Sequence, residues 1–227
     1  MTGAIGAAGA IGVSMRLYFS SYHLWGARHF AEQAAQNEVG HVGPPKFDVL
    51  HRAYVVNCLL STVAFLEAVI NEFFDDAADG HFNYLSDMSG NHRQAVADFW
   101  KMKPQRLERS SILYKYQFAL LATGCRQFDE GGAPLHDAKI LIELRNQLVH
   151  SRAKTDQTDS ERQERLRSRT ERLFPPNALV QGSGNPYFPD HCLGAGCAEW
   201  SVRSALAVTD EFLARTKAKA NYQTARF

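Results

Sequence analysis

The chain has 227 residues, 45% hydrophobic and 22% charged, with a formal net charge of +1. This is the balance of an ordinary globular protein with length enough for a real core. It excludes a low-complexity chain and a molecule that binds polyanions over its whole surface, so any nucleic-acid site must be a local patch. The four cysteines, Cys58, Cys125, Cys192 and Cys197, are too few and too scattered for a disulfide scaffold and are expected as reduced, mostly buried thiols.

Met1 to Val13 is rich in Gly, Ala and Ile and carries no charge. It lacks the basic start of a signal peptide and is too short to span a bilayer. Residues 1–14 therefore read as a flexible N-terminus. No other stretch offers ~20 apolar residues in a row, so no membrane span is expected and the location expected is cytoplasmic.

Met15 to Asn37 is a first helix by pattern, with Leu17, Tyr18, Leu24, Trp25, Phe30 and Ala34 available for packing. Gly and Pro between Val39 and Pro45 end it. Phe47 to about Ala78 is the longest helical pattern, with Gly80 as its stop. Within it, Ser61, Glu67 and Asn71 are polar residues among apolar ones, and such residues need partners. Gln94 to Lys101 is a short helix ending before Pro104. Pro104 to Phe128 is another, packing through Leu107, Ile112, Leu113, Tyr116, Leu120 and Leu121. Its Tyr114-Lys115-Tyr116 run suits either stacked nucleotides or, more simply, a core face with a snorkelling lysine.

Gly131-Gly132-Ala133-Pro134 leads into the segment from Ile140 to His150. Ile140, Leu141, Leu144 and Leu148 recur at helical spacing, and Arg145, Asn146 and His150 interrupt them. At about 100° per residue, Asn146 and His150 share one side of the helix. Arg145 lies about 140° from His150 by the same geometry, a gap its long, wide fork partly closes. One segment can thus aim a guanidinium, an amide and an imidazole at a common point, or at a surface shared with a second subunit. Arg binds phosphate oxygens through paired donors, and His moves protons near neutral pH. The trio suits metal-free cleavage of a phosphodiester whose own 2′-hydroxyl attacks. The plainer reading is a salt bridge and a helix C-terminal contact.

Leu144-Arg145-Asn146-Gln147-Leu148-Val149-His150 resembles the signature of the HEPN superfamily, an Arg, four to six residues and a His, often with a polar residue after the Arg. Ser151-Arg152 follow the His, so the branch with a Tyr two residues after it is not matched. The resemblance implies an all-α bundle, usually a homodimer, with Arg and His of two subunits in one composite site. It implies a metal-independent endoribonuclease, or an RNA- or nucleotide-binding relative, in toxin–antitoxin, phage-defence or RNA-processing systems. RNA, a second copy and an antitoxin or defence-system protein are the partners it suggests, and no cofactor or metal is expected. Arg145, Asn146 and His150 carry the site in this reading, and Glu67 orients Arg145.

After His150 the chain turns basic. From Arg145 to Arg172 there are eight Lys/Arg, among them Arg152 and Lys154 as candidate substrate contacts, against five acids, an excess of three. Glu161 to Leu173 is a helix with pairs such as Glu161–Arg165. It offers a phosphate-backbone groove or, with its mixed signs, a solvated face. Residues 174–190 read as an irregular wrap, since Phe174, Leu179, Tyr187 and Phe188 would otherwise be exposed. His191, Cys192 and Cys197 supply three zinc-type ligands where about four are needed, so cysteines packing near Trp200 are expected. Cys197 to Lys217 is a last amphipathic helix with Trp200, Ala205, Val208 and Phe212 inward.

The expectation is one all-α domain over 15–217, a bundle of five or six helices, with a frayed tail at 218–227. It is an endoribonuclease or, alternatively, a non-catalytic helical module that binds RNA, a nucleotide or a protein.

Overall fold

The computed structural model describes residues 16–102, 109–150 and 160–222. The fold is all-helical, and no strand is present among the described residues. Seven α-helices are described, more than the five or six expected: α1 (Phe19–Glu38), α2 (Val49–Asp79), α3 (Gly90–Met102), α4 (Ile112–Ala122), α5 (Leu135–Val149), α6 (Ser160–Thr170) and α7 (Ala195–Thr216). A 3-10 turn (Ala178–Val180) and a π turn (Tyr187–His191) interrupt the stretch before α7.

The long helix α2 is the axis of the bundle. Asp48 caps its start by accepting from the His51 N–H at 3.0 Å, and Gly80 ends it with φ of 72°, a conformation glycine adopts without a Cβ penalty. Val55, Leu59, Val63, Leu66, Ile70 and Phe73 recur along it at steps of three and four, all in the core. α1 runs antiparallel to it, fixed at one end by the Ser20 N–H on Glu72 Oε1 (2.9 Å) and at the other by His51 Nε2 on Glu38 Oε1 (2.8 Å). α7 runs parallel to α2, with Cys58 Sγ donating to Ala198 O at one end and Phe73 against Phe212 near the other. α5 packs on α2, α4 and α7. One contiguous apolar core draws on all seven helices. By length and composition alone α2 is also long and apolar enough to cross a bilayer. The apolar pattern runs through isolated polar residues, and half of its most apolar window is packed inside the bundle.

Several boundaries depart from the sequence reading. α1 begins at Phe19, because Tyr18 is extended and the segment before it is tied to α2 by Arg16–Asp76 (3.0 Å) and Tyr18–Asp76 (2.9 Å) bonds. Leu17 and Trp25 do not pack inward but are 53% and 50% exposed, the indole stacking on His29. α3 starts at Gly90, ahead of Gln94. α4 is shorter than expected: it starts at Ile112 and ends before Gly124 (φ 66°), and Leu121 faces solvent. Leu107 lies outside the described residues, as does the N-terminal segment 1–14.

Residues 174–194 do wrap the bundle. Phe174 and Leu179 are buried. Lys46 N–H donates to Leu179 O (2.8 Å) and Arg52 to Asp190 (2.6 Å), while Glu38 accepts from the α7 N-terminal Ala195 N–H at 2.7 Å. Nor is the chain after Lys217 simply frayed. Tyr222 is 1% exposed, its ring edge-on to Phe65 and its hydroxyl 2.7 Å from Asp210. The packed unit therefore continues past residue 217 to at least Tyr222.

Candidate functional site

α5 forms because Leu135, Ala138, Leu141 and Leu144 repeat at three-residue steps and are buried together, with Asp137 in the first turn where the helix dipole favours an acid. The last turn ends at His150, whose N–H donates to Asn146 O at 2.9 Å.

The trio does not sit on one face. Glu143, Asn146 and His150 are three and seven residues apart, which keeps them within about 60° of one another on a helix. His150 is exposed and Asn146 half-buried. Arg145 lies on the flank between buried Leu141 and half-buried Leu148, about 140° from His150. Its Nε is enclosed and has no hydrogen-bond partner, and among the described residues no carboxylate pairs with its guanidinium. An arginine at the edge of a core without an acid is uncommon, because a buried donor left unpaired costs about 1–3 kcal/mol.

Glu67 does not orient Arg145. It is 46% exposed, and its Oε1 lies 3.9 Å from Lys115 Nζ. Lys115, from α4, is 1% exposed and donates to Asn71 Oδ1 at 2.8 Å. The reason is positional: α4 lies against the middle of α2, as the Tyr116 hydroxyl on Leu66 O (2.9 Å) shows, so the polar residues of α2 there meet the α4 lysine. The Tyr114-Lys115-Tyr116 run is accordingly core for Lys115 and Tyr116, and only Tyr114 is exposed. The lysine does not snorkel.

Arg152 and Lys154 lie outside the described residues. α6, further on, is held to α5 by Arg169 Nη1 on Glu143 Oε2 at 2.6 Å, a contact sequence reasoning did not anticipate. Its anticipated partner pair, Glu161–Arg165, does not form; Arg167 pairs with Glu171 at 3.2 Å instead. The other face of α6 is fixed to the wrap by Gln163, which donates to Phe188 O and accepts from its N–H.

Cys58, Cys192 and Cys197 are all fully buried. Burial pushes the Cys58 thiol up to about 12, and a hydrogen bond with Cys192, then burial, raises Cys197. Both rest as neutral thiols, poor nucleophiles. His191 Nε2 faces Ser183 Oγ at 3.4 Å. Among the described residues, no group of three His, Cys, Asp or Glu is placed to hold a metal ion.

No protein-family model matches the chain, and neither does any curated protein or solved structure.

Proposed function

We propose that the protein is a metal-independent endoribonuclease of HEPN type, acting in the cytoplasm, with its site at the C-terminal end of α5. The observation that carries this reading is the Arg145 guanidinium, which has no carboxylate partner among the described residues and an enclosed Nε without a hydrogen bond, one residue from the face that bears Asn146 and exposed His150. An arginine that no described acid pairs with is available to an anion, and a phosphate is the anion its fork fits in bidentate fashion. In the reaction, His150 removes the proton of a ribose 2′-hydroxyl and O2′ attacks phosphorus. The P–O5′ bond breaks, the departing 5′-oxygen takes a proton from water, the proton held by His150 passes to solvent, and a 2′,3′-cyclic phosphate remains. Arg145 binds the phosphoryl oxygens and stabilises their growing charge, and Asn146 positions the imidazole. The angle between Arg145 and His150 on one helix supports a site completed by a second copy, each contributing what the other's helix turns away.

The same angle favours a second reading if the protein acts as a single copy: a helical module that binds RNA or a nucleotide through Arg145 and does not cleave it. Incubating the protein with labelled single-stranded RNA in EDTA, beside His150→Ala, separates the two. Metal-free cleavage ending in a cyclic phosphate and lost in His150→Ala is expected. Cleavage at the parent rate by His150→Ala removes the first reading, and intact RNA with retained binding in both proteins selects the second. A role in toxin–antitoxin or phage-defence systems, with an antitoxin or defence-system protein as partner, is a further part of the proposal.

A further inference from the structure

α6 carries its charges in stripes. Arg165 and Arg169 are four residues apart and share one face, and Arg172 follows three residues on in the turn that ends the helix. Glu164 and Glu171 lie on the neighbouring stripe, turned by about 100°, and Glu161 stands at the start of the arginine stripe, four residues before Arg165. By sequence these stripes are equivalent, and the segment reads as a mixed surface. The tertiary structure is not neutral between them. Buried Leu166 and Thr170 set the rotation of α6, and the Arg169–Glu143 bridge at 2.6 Å shows that the arginine stripe, not the acidic one, flanks α5. Glu143 is on the same face of α5 as Asn146 and His150, seven residues and about two turns before His150. Arg165 and Arg172 are exposed, and among the described residues neither has a carboxylate partner.

We infer that Arg165 and Arg172, on the side of α6 where Arg169 meets Glu143, form a phosphate-binding track that holds the backbone of single-stranded RNA as it leaves the α5 site. This rests on the ribonucleic-acid reading of that site. It makes the ligand an extended strand that contacts α6 through guanidinium–phosphate pairs and gains affinity from counterion release. Bases are not read by this face, which offers arginines and no aromatic platform.

The test is fluorescence anisotropy of the full chain with a labelled twenty-nucleotide oligouridylate over a range of salt. Arg165→Glu/Arg172→Glu is compared with Arg28→Glu/Lys101→Glu, which makes the same charge change at exposed cations on α1 and α3. The track variant is expected to bind at least about ten-fold more weakly, and the slope of log affinity against log salt to become shallower by about 1.4 for two lost phosphate contacts on a single strand. The distant control keeps parent affinity and slope. Arg165→Gln/Arg172→Gln, folded by circular dichroism, gives a smaller loss in the same direction and guards against an effect of charge reversal on folding. Equal affinity and slope in parent and track variants overturn the track. Equal weakening in the distant control overturns it as well, by assigning the effect to net charge. Competition by polyglutamate as effective as by RNA assigns the face to an acidic protein and overturns it too. The site reading fails separately: RNA that stays intact with the parent while the track variants still lose binding removes cleavage and leaves the track standing.

Discussion

Lys115 places its ammonium 2.8 Å from Asn71 Oδ1 with 1% of its side chain exposed, and Glu67 approaches the same ammonium at 3.9 Å from the solvent side. A buried charge is held by its hydrogen-bonding partners, so removing one partner costs more than removing the charge. Asn71→Ala is expected to lower stability by about 2–3 kcal/mol, read as a shift of the urea midpoint. Lys115→Met, which fills the same volume without a charge, is expected to cost less than Asn71→Ala. The reverse order would show that the lysine is a net stabilising element and the amide incidental.

Arg145 should display the opposite balance between stability and function. Its enclosed, unpaired Nε is a debit in the fold. Arg145→Met keeps the length and removes the unpaired donor, so the variant is expected to be as stable as the parent or more so, by about 1 kcal/mol. RNA cleavage, or binding in the non-catalytic case, falls by about 100-fold or more. A destabilised Arg145→Met would identify the guanidinium as a structural group and remove the main support for the site.

Asp48 caps α2 with a side-chain bond to the His51 N–H. That backbone bond holds its carboxyl below the usual range near 3.8. A folded-state pKa below the unfolded one stabilises the fold above the unfolded value, and the contribution is lost as pH falls through the folded value. Asp48→Ala is therefore expected to cost about 1 kcal/mol at pH 7. The gap to the parent narrows below pH 4, which matched denaturation curves at pH 7 and pH 3 will read.

Gly194 marks the place where the wrap crosses the start of α7. A Cβ at this position would lie 2.5 Å from Asn177 Cα, and the Asn177 backbone is fixed in turn by its N–H on His191 O at 2.8 Å. Neither segment can yield cheaply, so Gly194→Ala is expected to cost about 2–3 kcal/mol by overpacking. Limited proteolysis should then cut first within residues 174–190. Unchanged resistance would mean that the wrap is free to move.

The helical class of this protein was legible in the sequence because an apolar residue every three or four positions can be buried in only one way. The stop at Gly80, the irregular wrap and the inward face of α7 were legible for the same reason: each depends on residues close together in the chain. The elements of the candidate site, Arg145, Asn146 and His150, could be named from one short segment. Their relation to the rest could not. Glu67 was matched to Arg145 by charge alone, whereas the packing of α4 on α2 gives it Lys115. The arginines of α6 and their acids were indistinguishable in the sequence, whereas the burial of Leu166 and Thr170 leaves the arginine stripe beside α5, where Arg169 meets Glu143. Helical spacing fixes what lies on each face of a helix; only the packing of one helix against another fixes which face meets which, since that depends on volumes and partners far apart in the chain.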